Sequence, residues 1–215
     1  MARVIAVGNL KGGTGKSTIE VNLVCALAGK RARVLLLDAD DQGTATEWAS
    51  AGRLPVELVA APLSSGSNRR QWIERVSDLV GTADFAVLDL PPHIGDAMTA
   101  AFVVADLVLV PVTPSGADLR ATGRALEFLG AAREARGDGL PACFVVPSKV
   151  DRRTAAGKEI EAVLHDFGER VAPAITQRSA HVDAFTARDW IGGYQPRSVG
   201  HDEFETLAAL VRKVR

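Results

Sequence analysis

Residues 4–18, Val-Ile-Ala-Val-Gly-Asn-Leu-Lys-Gly-Gly-Thr-Gly-Lys-Ser-Thr, constrain this chain more than any other stretch. An apolar run from Val4 to Val7 feeds a glycine-rich turn. The turn feeds a pattern in which Ile19, Leu23, Ala26 and Leu27 share one helical face. Strand, glycine turn and helix in that order are what a phosphate-binding loop needs. Gly12, Gly13 and Gly15 let the backbone bend so that successive N–H groups point at phosphate oxygens. A helix starting near Lys16 adds its positive dipole end. Lys16 supplies a full charge for the β- and γ-phosphates, and the Ser17 hydroxyl is a hard oxygen ligand suited to Mg²⁺. With Thr14 and Thr18, these residues form the candidate nucleotide cradle.

The same alternation runs along the whole chain. Apolar runs rich in β-branched residues predict strands at 3–8, 33–38, 56–60, 84–89, 106–112, 142–147 and 171–175. Amphipathic stretches predict helices at 16–30, 44–51, 69–80, 95–104, 116–136, 154–167, 179–189 and 201–214. The segments 34–37 and 107–110 are continuously apolar, as for strands covered on both faces. The expected fold is α/β, a doubly wound and mostly parallel sheet with helices on both faces and ligands at the carboxyl ends of the strands. A single domain spanning 1–215 is expected at this length. The softest stretch, 62–68, reads as a loop whose Asn68 caps the next helix.

Net charge is −1, so any binding to nucleic acid or acidic lipid has to come from a local patch. Cys25 and Cys143 sit in apolar surroundings without a Cys-x-x-Cys spacing and read as reduced, buried thiols. There is no secretory pattern, and no apolar run approaches the ~20 residues of a bilayer span. A cytoplasmic protein is expected.

The glycine loop departs from the plain Walker A pattern. Leu10 stands where that pattern wants its first glycine, and a second lysine, Lys11, opens the run Lys-Gly-Gly-Thr-Gly-Lys-Ser-Thr. This resembles the deviant Walker A box of the ParA/MinD ATPases, in which the extra lysine reaches across a dimer interface to the partner's nucleotide. Further boxes follow in order. Leu37-Asp38-Ala39-Asp40-Asp41-Gln42-Gly43 is similar to the family's Asp-x-Asp-Pro-Gln-Gly. Two aspartates spaced by two in an extended segment point the same way. By resemblance Asp38 organises the metal's water shell and Asp40 positions or activates the attacking water. Asp41 replaces the usual proline, which removes a rigid φ and adds a charge.

Phe85-Ala86-Val87-Leu88-Asp89 is an apolar strand ending in an acid, the Walker B arrangement, in which Asp89 holds Mg²⁺ through water. Leu90-Pro91-Pro92 and His93 continue it as a switch loop, with His93 read as an exposed loop residue or a contact to a partner subunit. Pro111-Val112-Thr113-Pro114-Ser115 resembles a family segment near the dimer interface. Ser115 and Asp118 also read simply as a helix start. Ser148-Lys149-Val150-Asp151 stands where relatives carry a base-reading Asn-Lys-x-Asp. With serine in place of asparagine, adenine is expected to be held by backbone and packing around Pro147, Ser148 and Lys149. Arg152 and Arg153 are base-side residues or solvated charges.

The resemblance is closest to the small plasmid-type ParA proteins, because the chain opens directly on its first strand without room for a helix-turn-helix domain. It implies an ATPase with a slow basal rate, using ATP and Mg²⁺, with Lys11, Lys16 and Asp40 as catalytic residues and Ser17, Asp38 and Asp89 around the metal. It also implies an ATP-dependent homodimer, non-specific DNA binding, a ParB-type partner that stimulates hydrolysis, and a nucleoid-associated location. Arg178 is the first candidate for DNA, followed by Arg188, Arg197, Lys213 and Arg215. Residues 151–215 hold ten Lys/Arg and ten Asp/Glu, so such binding depends on two patches adding up in a dimer. Two other readings stand beside this one. A MinD-like membrane-positioning ATPase would use 201–214 as a lipid-binding helix, although Asp202, Glu203 and Glu205 favour a helix docked on the sheet. A metabolic ATP-dependent enzyme of the same fold would need a small-molecule pocket beside the γ-phosphate.

Overall fold

The structure is a computed structural model that describes residues 2–29, 31–40, 43–63, 66, 68–81, 83–91 and 97–214. Asp41, Gln42, Pro92, His93, Asp96 and Arg215 lie outside the described residues. The chain alternates strand and helix as far as β7 and then runs through three helices: β1 (Arg3–Val7), α1 (Lys16–Ala28), β2 (Val34–Asp38), α2 (Thr44–Ala49), β3 (Glu57–Ala60), α3 (Arg69–Val80), β4 (Phe85–Asp89), α4 (Ala97–Val104), β5 (Leu107–Val112), α5 (Gly116–Arg136), β6 (Ala142–Pro147), α6 (Ala155–His165), β7 (Arg170–Val171), α7 (Ser179–Thr186), α8 (Ile191–Tyr194) and α9 (Val199–Lys213).

The seven strands form one sheet in the order β3-β2-β4-β1-β5-β6-β7, and every pairing is parallel. Period-2 alternation sends side chains of one strand to opposite layers. Leu35 and Leu37 pack with Trp72, Val76, Phe102, Leu129, Ile160 and Leu164 from α3 to α6. Leu36 packs with Ile19, Leu23, Trp48, Ile191, Phe204 and Val211 from α1, α2, α8 and α9. Both faces are therefore covered, which is why the strands carry no polar alternation. Cys25 and Cys143 are buried and unpaired, as expected. Burial pushes both thiols well above their ordinary range.

Helix starts follow their caps. The side chains of Asn68, Ser115, Thr154 and Ser198 accept from backbone N–H groups in the first turns of α3, α5, α6 and α9. The expected strand at 171–175 is shorter than its pattern. Pro173 has no N–H to give to a ladder, so the strand ends at Val171. Its chain still follows β6, with Ile175 N donating to Pro147 O at 2.8 Å and an isolated bridge from Val150 to Thr176. The expected helix 179–189 stops at Thr186. The backbone turns left-handed at Arg188 (φ 52°), and the short α8 follows, which its Gly192-Gly193 pair hid in the sequence.

The 201–214 pattern resolves as a docked helix. Phe204, Leu207, Ala208 and Val211 of α9 are fully buried, against α1 and the sheet. Arg212 Nη2 donates to Ala26 O at 2.7 Å and Leu27 O at 3.3 Å, satisfying carbonyls left open at the end of α1. No helix of the described residues is long and apolar enough to cross a membrane.

Candidate functional site

The strand order jumps at β1. Its chain leaves through α1 for β2, while β4 is inserted between them, so the carboxyl end of β1 opens a crevice at the switch point of the sheet. The loop from Gly8 to Gly15 fills that crevice. Gly13 and Gly15 sit at φ 80° and 92°, in the region that glycine reaches without a Cβ penalty. A Cβ on Gly15 would fall 2.6 Å from Ser148 Oγ, so glycine also permits the close approach of the 148 segment. Lys149 Nζ donates to Gly13 O at 2.7 Å, tying the end of β6 to the loop. α1 starts at Lys16 with Gly15 as its N-cap and no capping side chain, leaving its first N–H groups for a ligand.

Two lysines serve this loop differently. Lys16 is buried, with Nζ 3.4 Å from Lys11 O. Lys11 has a half-exposed side chain, and its Nζ donates to Asp118 Oδ1 in the first turn of α5. Asp118 also accepts from Thr113 N at 3.3 Å and from Thr113 Oγ1. Burial disfavours its charge, yet the hydrogen bonds from Lys11, Thr113 and Ser115 hold the carboxyl below the ordinary carboxylate range.

The acidic side of the crevice is set by register. Asp38 and Asp89 end β2 and β4 and are direct neighbours across the ladder. Asp38 Oδ1 accepts from Asp40 N at 3.1 Å, and its Oδ2 accepts from Thr46 N and Oγ1 at 3.0 and 2.6 Å. Asp40 thus lies beside Asp38 at the same mouth. Burial, together with the charges of Asp38 and Asp40, pushes the Asp89 carboxyl up to about 6.

A residue that sequence reasoning passed over joins them. Glu20, one turn along α1 from Ser17, is fully buried with its carboxyl against that of Asp89, and no N–H or hydroxyl donor reaches either Glu20 oxygen or Asp89 Oδ2. Burial and the Asp89 charge push Glu20 well above the ordinary range. Two buried carboxyls in contact, beside Ser17 and Asp38, fit a shared proton and, with negative charge concentrated at this mouth, a divalent cation. Among the described residues no cluster of three His, Cys, Asp or Glu is arranged to hold a metal alone. A Mg²⁺ here would therefore take phosphate oxygens and water besides Ser17, Asp38 and Asp89.

Next to the loop lies a cavity of about 540 Å³, lined by Gly15, Ser17, Thr18, Trp48, Ser148, Lys149, Gln177, Arg178, His181 and Phe185. It joins the phosphate cradle to the Pro147–Lys149 segment where a base is expected. This corner is also held by Asn22, another residue missed in the sequence: its Oδ1 accepts from Ile191 N at 2.7 Å and its Nδ2 donates to Thr18 O at 2.7 Å. Asn9 was missed as well. It is fully buried, with Nδ2 donating to Pro111 O at 2.8 Å, and pins the loop to β5.

The four basic candidates for DNA among the described residues are not gathered in one place. Arg178 lies on the cavity wall and pairs with Glu203 at 3.2 Å. Arg188 and Arg197 are exposed, both with left-handed backbone, before and after α8. Lys213 sits at the other end of α9, beside Ala142 and Glu169 where β6 begins. A fifteen-residue helix spans roughly 22 Å, so Lys213 is at the opposite end of the sheet from Arg178.

A parallel sheet whose first strand feeds a glycine loop and helix, with acids ending the adjacent pair β2 and β4, defines a P-loop nucleotide-binding protein. Within that class the chain belongs to the CobQ/CobB/MinD/ParA nucleotide binding domain family, whose model matches residues 5–187. It is 31% identical over 180 residues to the maintenance of carboxysome distribution protein A of Halothiobacillus neapolitanus, covering 83% of this chain and 81% of that protein. It is 28% identical to the chromosome-partitioning ATPase Soj of Thermus thermophilus, covering 97% and 95% of the two chains. In fold it is similar to the septum site-determining protein MinD of Pyrococcus horikoshii complexed with Mg-ADP, with a TM-score of 0.79 at 20% identity over 99% and 97% of the chains.

Proposed function

We propose that the chain is a ParA-type positioning ATPase that couples ATP-dependent dimerisation to non-specific DNA binding. The observation that carries this reading is the second lysine of the loop: Lys11 stands on the rim with its side chain 42% exposed, while Lys16 fills the cradle. One lysine serves the nucleotide of its own subunit and the other is placed to leave it.

In this reading the backbone of Gly12, Gly13, Thr14 and Gly15 and the start of α1 receive the phosphates. Pro147, Ser148 and Lys149 border the base. Ser17, Asp38 and Asp89 surround Mg²⁺, which when bound neutralises phosphate charge and orders water. Asp40 positions the attacking water. Lys11 of each subunit stabilises phosphate charge in the other, as an arginine finger does in trans. The closed pair adds two sets of Arg178, Arg188 and Arg197 into one anion-binding surface. A ParB-type partner then stimulates hydrolysis and release, and the cycle distributes a cargo over the nucleoid. The names of the two relatives, one for carboxysome distribution and one for chromosome partitioning, support a positioning role. α9 spends its apolar face on the core, which favours DNA over a lipid surface.

The test is binding to random-sequence duplex DNA with ATP, with ADP and without nucleotide, over a salt series. Binding is expected with ATP alone and falls steeply as salt rises. Arg197→Glu is the informative variant because Arg197 is outside the nucleotide cavity, whereas Arg178→Glu must be shown to retain ATP binding. Salt-resistant binding, or binding independent of nucleotide, refutes the reading.

A further inference from the structure

We infer that Asp118 is a positioning residue that parks Lys11 in its own subunit, so that the Lys11–Asp118 ion pair has to be broken when two nucleotide-bound subunits close. This rests on the dimer reading above. The two residues are 107 positions apart in sequence, and the fold brings them into direct contact.

The carboxylate is the fixed half of the pair. Its side chain is 2% exposed, and Thr113 N and Oγ1 hold one oxygen while Lys11 takes the other. The Asp118 backbone N–H donates to Ser115 Oγ at 3.2 Å, locking the turn that carries it. The ammonium is the mobile half, on a flexible stem at the rim of the loop. Leaving strands a nearly buried carboxylate with one charge-assisted bond fewer, so Lys11 departs only for a site that offers comparable negative charge. Phosphates of a second subunit are such a site.

The link to nucleotide lies in one peptide. The Lys11 carbonyl accepts from Lys16 Nζ at 3.4 Å and from Thr14 Oγ1 at 3.5 Å. When phosphate draws Lys16 inward, that carbonyl loses a tether, and the residue whose side chain is paired to Asp118 is released at its backbone. Binding in cis thereby prepares the lysine that acts in trans.

The experiment compares wild type with Asp118→Asn, which keeps the acceptor for Thr113 and removes the charge. Dimerisation is followed by analytical ultracentrifugation against protein concentration, with saturating non-hydrolysable ATP analogue. Affinity for a fluorescent ATP analogue is measured separately. Asp118→Asn is expected to dimerise at about tenfold lower concentration, the effect of losing one partly screened charge pair, with nucleotide affinity unchanged. Wild type that dimerises with ATP at the same midpoint as Asp118→Asn overturns the parking role and leaves the functional reading standing. Neither protein dimerising overturns both. A second measurement needs no variant. The Lys11 ¹⁵Nζ resonance of the wild type is expected to show a slowly exchanging, paired ammonium without nucleotide, and to change environment in the analogue-bound dimer. A resonance that stays as it was refutes the inference even if Asp118→Asn fails to fold.

Discussion

Gly15→Ala tests whether the loop is held by steric closeness as well as by hydrogen bonds. Two costs are separable. At φ 92° a Cβ is forced toward its own backbone, which costs about 1–2 kcal/mol. The same Cβ falls 2.6 Å from Ser148 Oγ and 3.9 Å from Ser148 Cβ. Ser148 is almost fully buried, so turning its hydroxyl away forces an unfavourable rotamer or a small backbone shift, roughly 1–2 kcal/mol more. The sum is roughly 2–4 kcal/mol, a large share of the 5–15 kcal/mol typical of a domain. Urea denaturation is expected to show a midpoint lower by on the order of 1 M. Adding Ser148→Ala removes the oxygen and leaves a Cβ at ordinary contact distance, so the double variant is expected to regain about half of the loss. A double variant no more stable than Gly15→Ala, or a single variant within about 0.5 kcal/mol of wild type, refutes the steric account.

The Asp89 carboxyl, pushed up to about 6, holds its proton more tightly folded than unfolded. Its contribution is therefore greatest below about pH 4 and is lost as pH rises to about 6, with little change above, and Glu20 acts in the same direction. Asp89→Asn is expected to flatten that segment of the stability–pH curve in nucleotide-free protein, measured by chemical denaturation between pH 4.5 and 7.5. Phe204→Ala, at a fully buried position whose ring meets His181 edge-on at 5.6 Å, is expected to cost about 3–5 kcal/mol in thermal denaturation. Asn9→Ala leaves the Pro111 carbonyl unpaired in the interior, an expected loss of about 1–3 kcal/mol by urea denaturation together with weaker nucleotide binding.

The glycine loop was legible because its residues are contiguous, and Asp38 and Asp89 because each ends an apolar strand. Residues that depend on distant neighbours were not. α1 reads as a helix with one apolar face, yet nearly every residue from Ile19 to Ala28 is buried, because α9 covers its outer side. Glu20 and Asn22 therefore look like a solvated face in the sequence and are interior groups in the fold. Ser115 and Asp118 did open a helix, as their pattern predicts, but nothing local shows that Asp118 meets Lys11. The sequence also gives no sign of which end of the sheet a helix terminus reaches, so Lys213 was grouped with Arg178. The strand predicted at 171–175 overran because apolar character persists across Pro173 while hydrogen bonding does not.

The strand order has a consequence for synthesis on the ribosome. Among the described residues β1 pairs with β4 and β5 alone, and its first partner residue is Phe85, opposite Arg3. At roughly 5–20 residues per second, the chain takes about 4–16 s to extend from one to the other. During that interval Val4 to Val7 is an apolar strand with neither edge paired, and the glycine loop after it has no wall to lean on. The clamp from Lys149 to Gly13 closes later still, after β6 has emerged. A segment made well before its partners is thus among the last to become native, and its exposure while waiting is a target for chaperones.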